Sequence, residues 1–198
     1  MFKKTTEEKV LRDPVHGYIH VDLQVVWDVI NSSWFQRLRR IRQLGGAYVV
    51  YHCAEHSRFG HSLGVYELVR RMVSEVQDIS NALNEREKVT AMLAGLLHDI
   101  GHGPYSHAFE GVTKTSHEEF TCRIIEENTE ITRILEDCCE GLSKDVADVI
   151  RHESSNPLLS QLISSQLDAD RFDYLLRDAY FTGTKYGEYD LERILRTM

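Results

Sequence analysis

The chain has 198 residues, with 23 Lys and Arg against 31 Asp and Glu, a formal charge of −8. That acidic balance opposes binding to duplex nucleic acid. An apolar share of 42% beside 27% charged residues excludes a largely disordered chain, and the length suits one domain with its own core over residues 1–198. The longest apolar stretch, Ala91 to Leu97, is far short of the ~20 residues of a membrane span, and residues 1–7 lack an apolar signal core. A soluble, cytoplasmic protein with no membrane partner is the expectation. The four cysteines, Cys53, Cys122, Cys138 and Cys139, have no CxxC spacing and are expected to be reduced thiols.

The chain opens on Arg12-Asp13-Pro14-Val15-His16-Gly17-Tyr18-Ile19-His20-Val21, a turn signal beside a short alternating segment, which predicts a small hairpin or an extended arm. From Ser33 the period becomes helical. Ser33 to Gln36 has capping-box spacing, and Phe35, Leu38 and Ile41 predict a helix ending at Gly45-Gly46, with Arg37, Arg39, Arg40 and Arg42 facing elsewhere. Tyr48 to Tyr51 reads as a short β-like segment. A helix is predicted from Gly60 to about Val76, and another from Asn84, apolar nearly all round and therefore central. Further helices are expected from Ser116, at 143–152, 158–164 and 169–180. No repeat or low-complexity tract interrupts the sequence, so the fold class is an all-α globule with at most one small β element.

The buried helix ends in Leu97-His98-Asp99-Ile100-Gly101-His102-Gly103. Delivering a histidine and a carboxylate together from an apolar helix is costly unless both find polar partners, and a divalent cation would satisfy both. The alternative is a hydrogen-bonded histidine at a helix C-terminus with Asp99 in solvent. His98, His102 and His107 fall within ten residues, Arg58 and His61 are three apart, and Asp170, Tyr174 and Asp178 share one helical face.

The ordered set His61, His98-Asp99 and Asp170 resembles the signature of the HD-domain metal-dependent phosphohydrolases, an all-helical superfamily. Longer strings resemble the deoxynucleoside triphosphate triphosphohydrolases, of the type of the SAM-and-HD-domain dNTPase and its bacterial relatives. They are Arg12 to Gly17, Phe35 to Arg39, Gln43 to Gly46, Arg58 to Val65, His98 to His107 and Asp168 to Tyr174. The match runs from about Val10 to Tyr180.

The resemblance implies that His61, His98, Asp99 and Asp170 ligate one divalent ion, Fe, Mn, Mg or Zn, with additional Mg on the nucleotide. It implies Arg58 and Arg171 on the phosphates, and Gln43, Leu44, Tyr174 and Asp178 around a deoxyribose. His102, His107, Glu110 and His117 would orient water and move protons. The implied reaction is attack of water at the α-phosphorus of a dNTP, giving deoxynucleoside and inorganic triphosphate. Arg12, Asn31, Gln36 and Arg39 match an activator site for dGTP, GTP or another nucleotide between subunits of a homo-oligomer, a dimer or tetramer. Asn31 stands where relatives have aspartate, and Arg12 where they have asparagine. Relatives continue past Met198, and the chain is expected to lack a C-terminal portion. The alternatives are another HD phosphohydrolase, such as a nucleotidase or phosphodiesterase, or a non-catalytic nucleotide-sensing or nucleic-acid-binding module. His16, His20, His52, His56 and His152 are assigned to structure or solvent.

Overall fold

A computed structural model describes residues 2–198. The chain begins with an antiparallel hairpin, β1 (Lys4–Asp13) and β2 (Gly17–Leu23), closed by Gly17 at φ +77°. Alternation along β2 buries Ile19, Val21 and Leu23 against the helices. Helices α1 (Gln24–Asn31) and α2 (Ser33–Gln36) follow, then 3-10 turns at Arg37–Arg40 and Ala47–Val49. The long helix α3 (Arg58–Glu75) leads through α4 (Gln77–Ala82) to α5 (Glu85–Leu97). The remainder is α6 (His107–Thr113), α7 (His117–Glu126), α8 (Glu130–Cys138), α9 (Leu142–Ile150), α10 (Pro157–Ile163), α11 (Ala169–Thr182) and α12 (Leu191–Thr197).

One hydrophobic cluster runs through the molecule, with α5 packed between α3, α9 and α10. Every residue of α5 from Val89 to Leu97 is buried, as its all-round apolar sequence requires. Asn84 caps it through a capping box with Glu87. Helix α11 packs across α3, which sets the faces of these two helices against each other at the site.

The helix expected from Ser33 to Gly45 is much shorter. Ser32, not Ser33, is its cap, accepting from the Phe35 N–H. After one turn the backbone tightens and then leaves the helix, because it pairs elsewhere: Arg58 N–H donates to Ile41 O at 2.8 Å and Gln43 N–H to His56 O at 3.0 Å. Phe35, Leu38 and Ile41 are nonetheless buried. Residues 48–51 form no strand; Val49, Val50 and Tyr51 are exposed around a 3-10 turn. Helices α1 and α8 were not predicted, although Thr129 supplies a capping box and Ile131 and Leu135 a buried stripe. No helix of the described residues is long and apolar enough to cross a membrane.

Candidate functional site

His61 lies one turn into α3, fully buried. Its Nδ1 is 2.8 Å from Asp173 Oδ2 on α11. With a carboxylate accepting there, Nδ1 is the donor, and Nε2 is the atom whose lone pair is free for a metal when the ring is neutral. His98 follows the last turn of α5 and is held the same way, its Nδ1 2.8 Å from Gly95 O. Asp170 sits in the first turn of α11, behind the Asp168 N-cap. Its Oδ1 is 3.0 Å from His61 Nε2 and 3.7 Å from His98 Nε2.

The two Nε2 atoms are buried and make no hydrogen bond, yet they and the Asp170 carboxylate converge within 4.8 Å. Two orphaned lone pairs and an anion facing one point fit a cation with nitrogen and oxygen ligands. Burial opposes charge on His61, but Asp170 and Asp173 overcome it and lift His61 to about 10. His61 and His98 hold Asp170 far below the usual carboxylate range against its burial. The anions that favour positive charge on His61 also favour a metal ion beside it.

Asp99, expected as the fourth ligand, lies beside the cluster with Oδ2 3.5 Å from His61 Nε2 and Oδ1 3.5 Å from His98 Nε2, and groups more tightly with His102 and His117. It is also the partner of Arg58, whose Nη1 donates to Oδ2. Arg58 is buried and donates further to Ser106 Oγ at 2.8 Å. The arginine expected on phosphates is thus already engaged. Arg171 is exposed, and among the described residues no hydrogen bond or ion pair occupies its guanidinium.

Beyond Asp99 a row of imidazoles leads outward. His102 is buried, its Nε2 3.3 Å from Asp99 Oδ1, and it stacks on His117 at 3.9 Å. Burial pushes His102 down to about 4. Glu110 joins the other two: its Oε1 is 2.6 Å from His117 Nδ1 and 3.3 Å from His107 Nδ1, and accepts the His117 N–H at 3.2 Å. Against some burial, these contacts with His117 and His107 pull Glu110 down to about 2. A Cβ on Gly101 would lie 2.2 Å from His117 O, so a glycine is required where this loop crosses α7.

On the other flank, Asp178 is buried rather than at the surface, its Oδ1 2.7 Å from His56 Nε2. His56 connects it to Gln43, whose Oε1 is buried without a partner. Leu44 and Tyr174 are half-buried. The activator residues are not all brought together. Gln36 and Arg39 form a pair at 2.8 Å, with Gln36 Nε2 donating to Ile30 O and Asn31 Nδ2 to Trp27 O. Arg12 lies on the hairpin, donating to Gly17 O and stacking on Tyr18.

Sequence reasoning missed the support behind His61. Asp173 also receives His16 Nε2 at 2.6 Å and the buried Arg177, which pairs in turn with Asp13 at 2.9 Å. Opposed by burial, Arg177, His16 and His61 hold Asp173 well below the carboxylate range.

The HD domain family model matches residues 58–178, the span from Arg58 to Asp178 that carries nearly all of this site. The chain belongs to the HD-domain family. It is 53% identical over 195 residues to the uncharacterized protein YwfO of Bacillus subtilis, covering 98% of this chain and 45% of that one. It is 31% identical over 223 residues to the deoxynucleoside triphosphate triphosphohydrolase SAMHD1 of Homo sapiens, covering 95% and 35%. A phosphohydrolase crystal structure from Bacteroides thetaiotaomicron superposes with a TM-score of 0.84 at 36% identity, covering 95% of this chain and 46% of that one. This HD-domain chain therefore spans about half, or less, of the length of the proteins it matches.

Proposed function

We propose that this chain is the catalytic part of a metal-dependent deoxynucleoside triphosphate triphosphohydrolase. The observation that carries the reading is the convergence of two buried, unpartnered imidazole Nε2 atoms on the Asp170 carboxylate, in a chain similar to a named triphosphohydrolase. His61, His98, Asp170 and Asp99 would hold the divalent ion. When bound, such an ion supplies Lewis acidity at a phosphoryl oxygen and lowers the pKa of water.

The chain's own groups do the rest. His102, neutral and pressed against His117, orients a water; His107, the exposed end of the Glu110 relay, passes a proton to the departing 5′-oxygen. Arg171 is the free cation for the polyphosphate, while Arg58 holds Asp99 and the Ser106 hydroxyl in place. Gln43 Oε1 is an acceptor in want of a donor, which a sugar hydroxyl provides, with Leu44, Tyr174 and Asp178 around the ring. The Gln36–Arg39 pair, with Asn31, offers part of an activator site that Arg12 of another copy in a homo-oligomer would complete.

The test is product analysis with each dNTP and rNTP, singly and in pairs, in Mg2+ and in Mn2+. Inorganic triphosphate from dNTPs and not from rNTPs is the expected outcome. Release of orthophosphate or pyrophosphate instead would place the chain with another HD phosphohydrolase chemistry.

A further inference from the structure

We infer that His152 is a phosphate-contacting residue, its imidazole N–H donating to a phosphoryl oxygen of the polyphosphate bound beside the His61–His98–Asp170 cluster. The inference rests on the hydrolase reading above and deepens it. A cavity of about 80 Å3 opens beside the cluster, and its lining includes His98, Asp99 and Asp170 together with His152, Ser160 and Ser164. That is room for a phosphoryl group together with a water.

The rest of the lining is poor in donors. Val149, Ile150 and Ile163 are apolar, Glu118 is an acid, and the Ser160 hydroxyl is spent on Val149 O at 2.8 Å. A polyphosphate entering here meets Asp99, Asp170 and Glu118, and the His152 imidazole and the Ser164 hydroxyl are the side chains beside them that are left to donate. The His152 ring is exposed and among the described residues makes no hydrogen bond or ion pair.

The backbone points the same way. Helix α9 ends in a Schellman turn, His152 N–H donating to Val149 O and Glu153 N–H to Asp148 O. His152 occupies the left-handed position of that turn, at φ 62°, where glycine is the usual residue. A histidine in this conformation carries strain that glycine would not. Ser106, at φ 52°, sits in a comparably strained conformation at the site and puts its hydroxyl on Arg58. Ser106 contacts Arg58, the partner of Asp99, and His152 lines the cavity beside the cluster, so both strained positions border the site.

The experiment compares wild type, His152→Gly and His152→Asn as metal-loaded proteins. Affinity for inorganic triphosphate is measured by calorimetry, together with dNTP turnover, bound Mn2+ and the thermal midpoint. Wild type that neither binds triphosphate nor hydrolyses dNTPs overturns the hydrolase reading, and this inference with it. Where wild type binds, His152→Gly is expected to weaken triphosphate affinity about tenfold, the worth of one hydrogen bond to a charged group. Its thermal midpoint is expected to stay or rise, because glycine adopts positive φ freely. His152→Asn tolerates the left-handed conformation and keeps an N–H, so it is expected to regain part of the affinity. Unchanged affinity in His152→Gly overturns the assignment. So does a lowered midpoint, which would make the ring structural, or a loss of bound Mn2+, which would make it a cation ligand.

Discussion

Each metal-facing imidazole is made by what stands behind it. His61 offers Nε2 because Asp173 takes Nδ1, and Asp173 is itself fixed by Arg177 and His16. Further out, Glu110 does for His117 and His107 what Asp173 does for His61, but near the surface, where titration can be followed. Its carboxyl falls from an ordinary value of 4.5 to about 2 in the fold. A carboxyl depressed on folding stabilises the native state above pH 4.5, and that contribution is lost as the pH falls from 4.5 through about 2. Glu110→Gln is therefore expected to unfold at a lower temperature than wild type near pH 6, with the gap narrowing towards pH 2. A gap that is constant over this range would remove the Glu110–His117 pairing from the account. The four expected ligands rest on a family signature, His61, His98-Asp99 and Asp170, and the fold brings His61, His98 and Asp170 of that set within reach of one point. Asp173 was not legible, since nothing in Asp170-Arg171-Phe172-Asp173 says which acid faces the cavity and which faces a buried arginine 164 residues from its other partner, Asp13.

At the level of elements, legibility followed how local the cause was. Helix α5 announces itself through its cap and its continuous apolar sequence, and both are realised. The helix from Ser33 fails after one turn because the backbone of 41–43 is bonded to 56–58, a tertiary pairing that periodicity cannot report. Glycine within α3 is a subtler signal. A Cβ on Gly64 would lie 1.8 Å from Asp173 Oδ1 and 2.6 Å from Arg177 Nη2, whereas one on Gly60 would meet Arg177 Nη1 at 3.4 Å. Gly64 is thus the clearance through which α11 brings its buried ion pair against α3. Gly64→Ala is expected to cost about 3–5 kcal/mol, comparable to breaking a buried ion pair, while Gly60→Ala in the same helix stays within about 1 kcal/mol. Denaturant titration of both variants measures the difference, and equal stabilities would show that α11 can shift without loss.

For the molecule as a whole, the residues proposed to hold the ion come from three places distant in sequence: His61 on α3, His98 and Asp99 after α5, and Asp170 on α11. Those are the helices at the centre of the packing, so an ion there joins the core of the fold, whereas the residues matched to an activator lie apart on the hairpin, on α1 and α2, and on the 3-10 turn that follows α2. Ligation between native elements couples metal affinity to global stability, since the unfolded chain presents no such site. With free metal at a hundred times its dissociation constant, the native state gains about 2.7 kcal/mol. In a chain of this length that corresponds to a thermal midpoint roughly 5–10 °C higher than in chelator. Asp170→Ala removes the anion on which both imidazoles converge, and the variant is expected to melt at the same temperature with Mn2+ or with chelator while keeping its helical circular dichroism. An equal metal-dependent shift in wild type and Asp170→Ala would mean that the stabilising ion sits elsewhere, at Asp99, His102 and His117 or at His107, Glu110 and His117, which also lie close enough together to hold one.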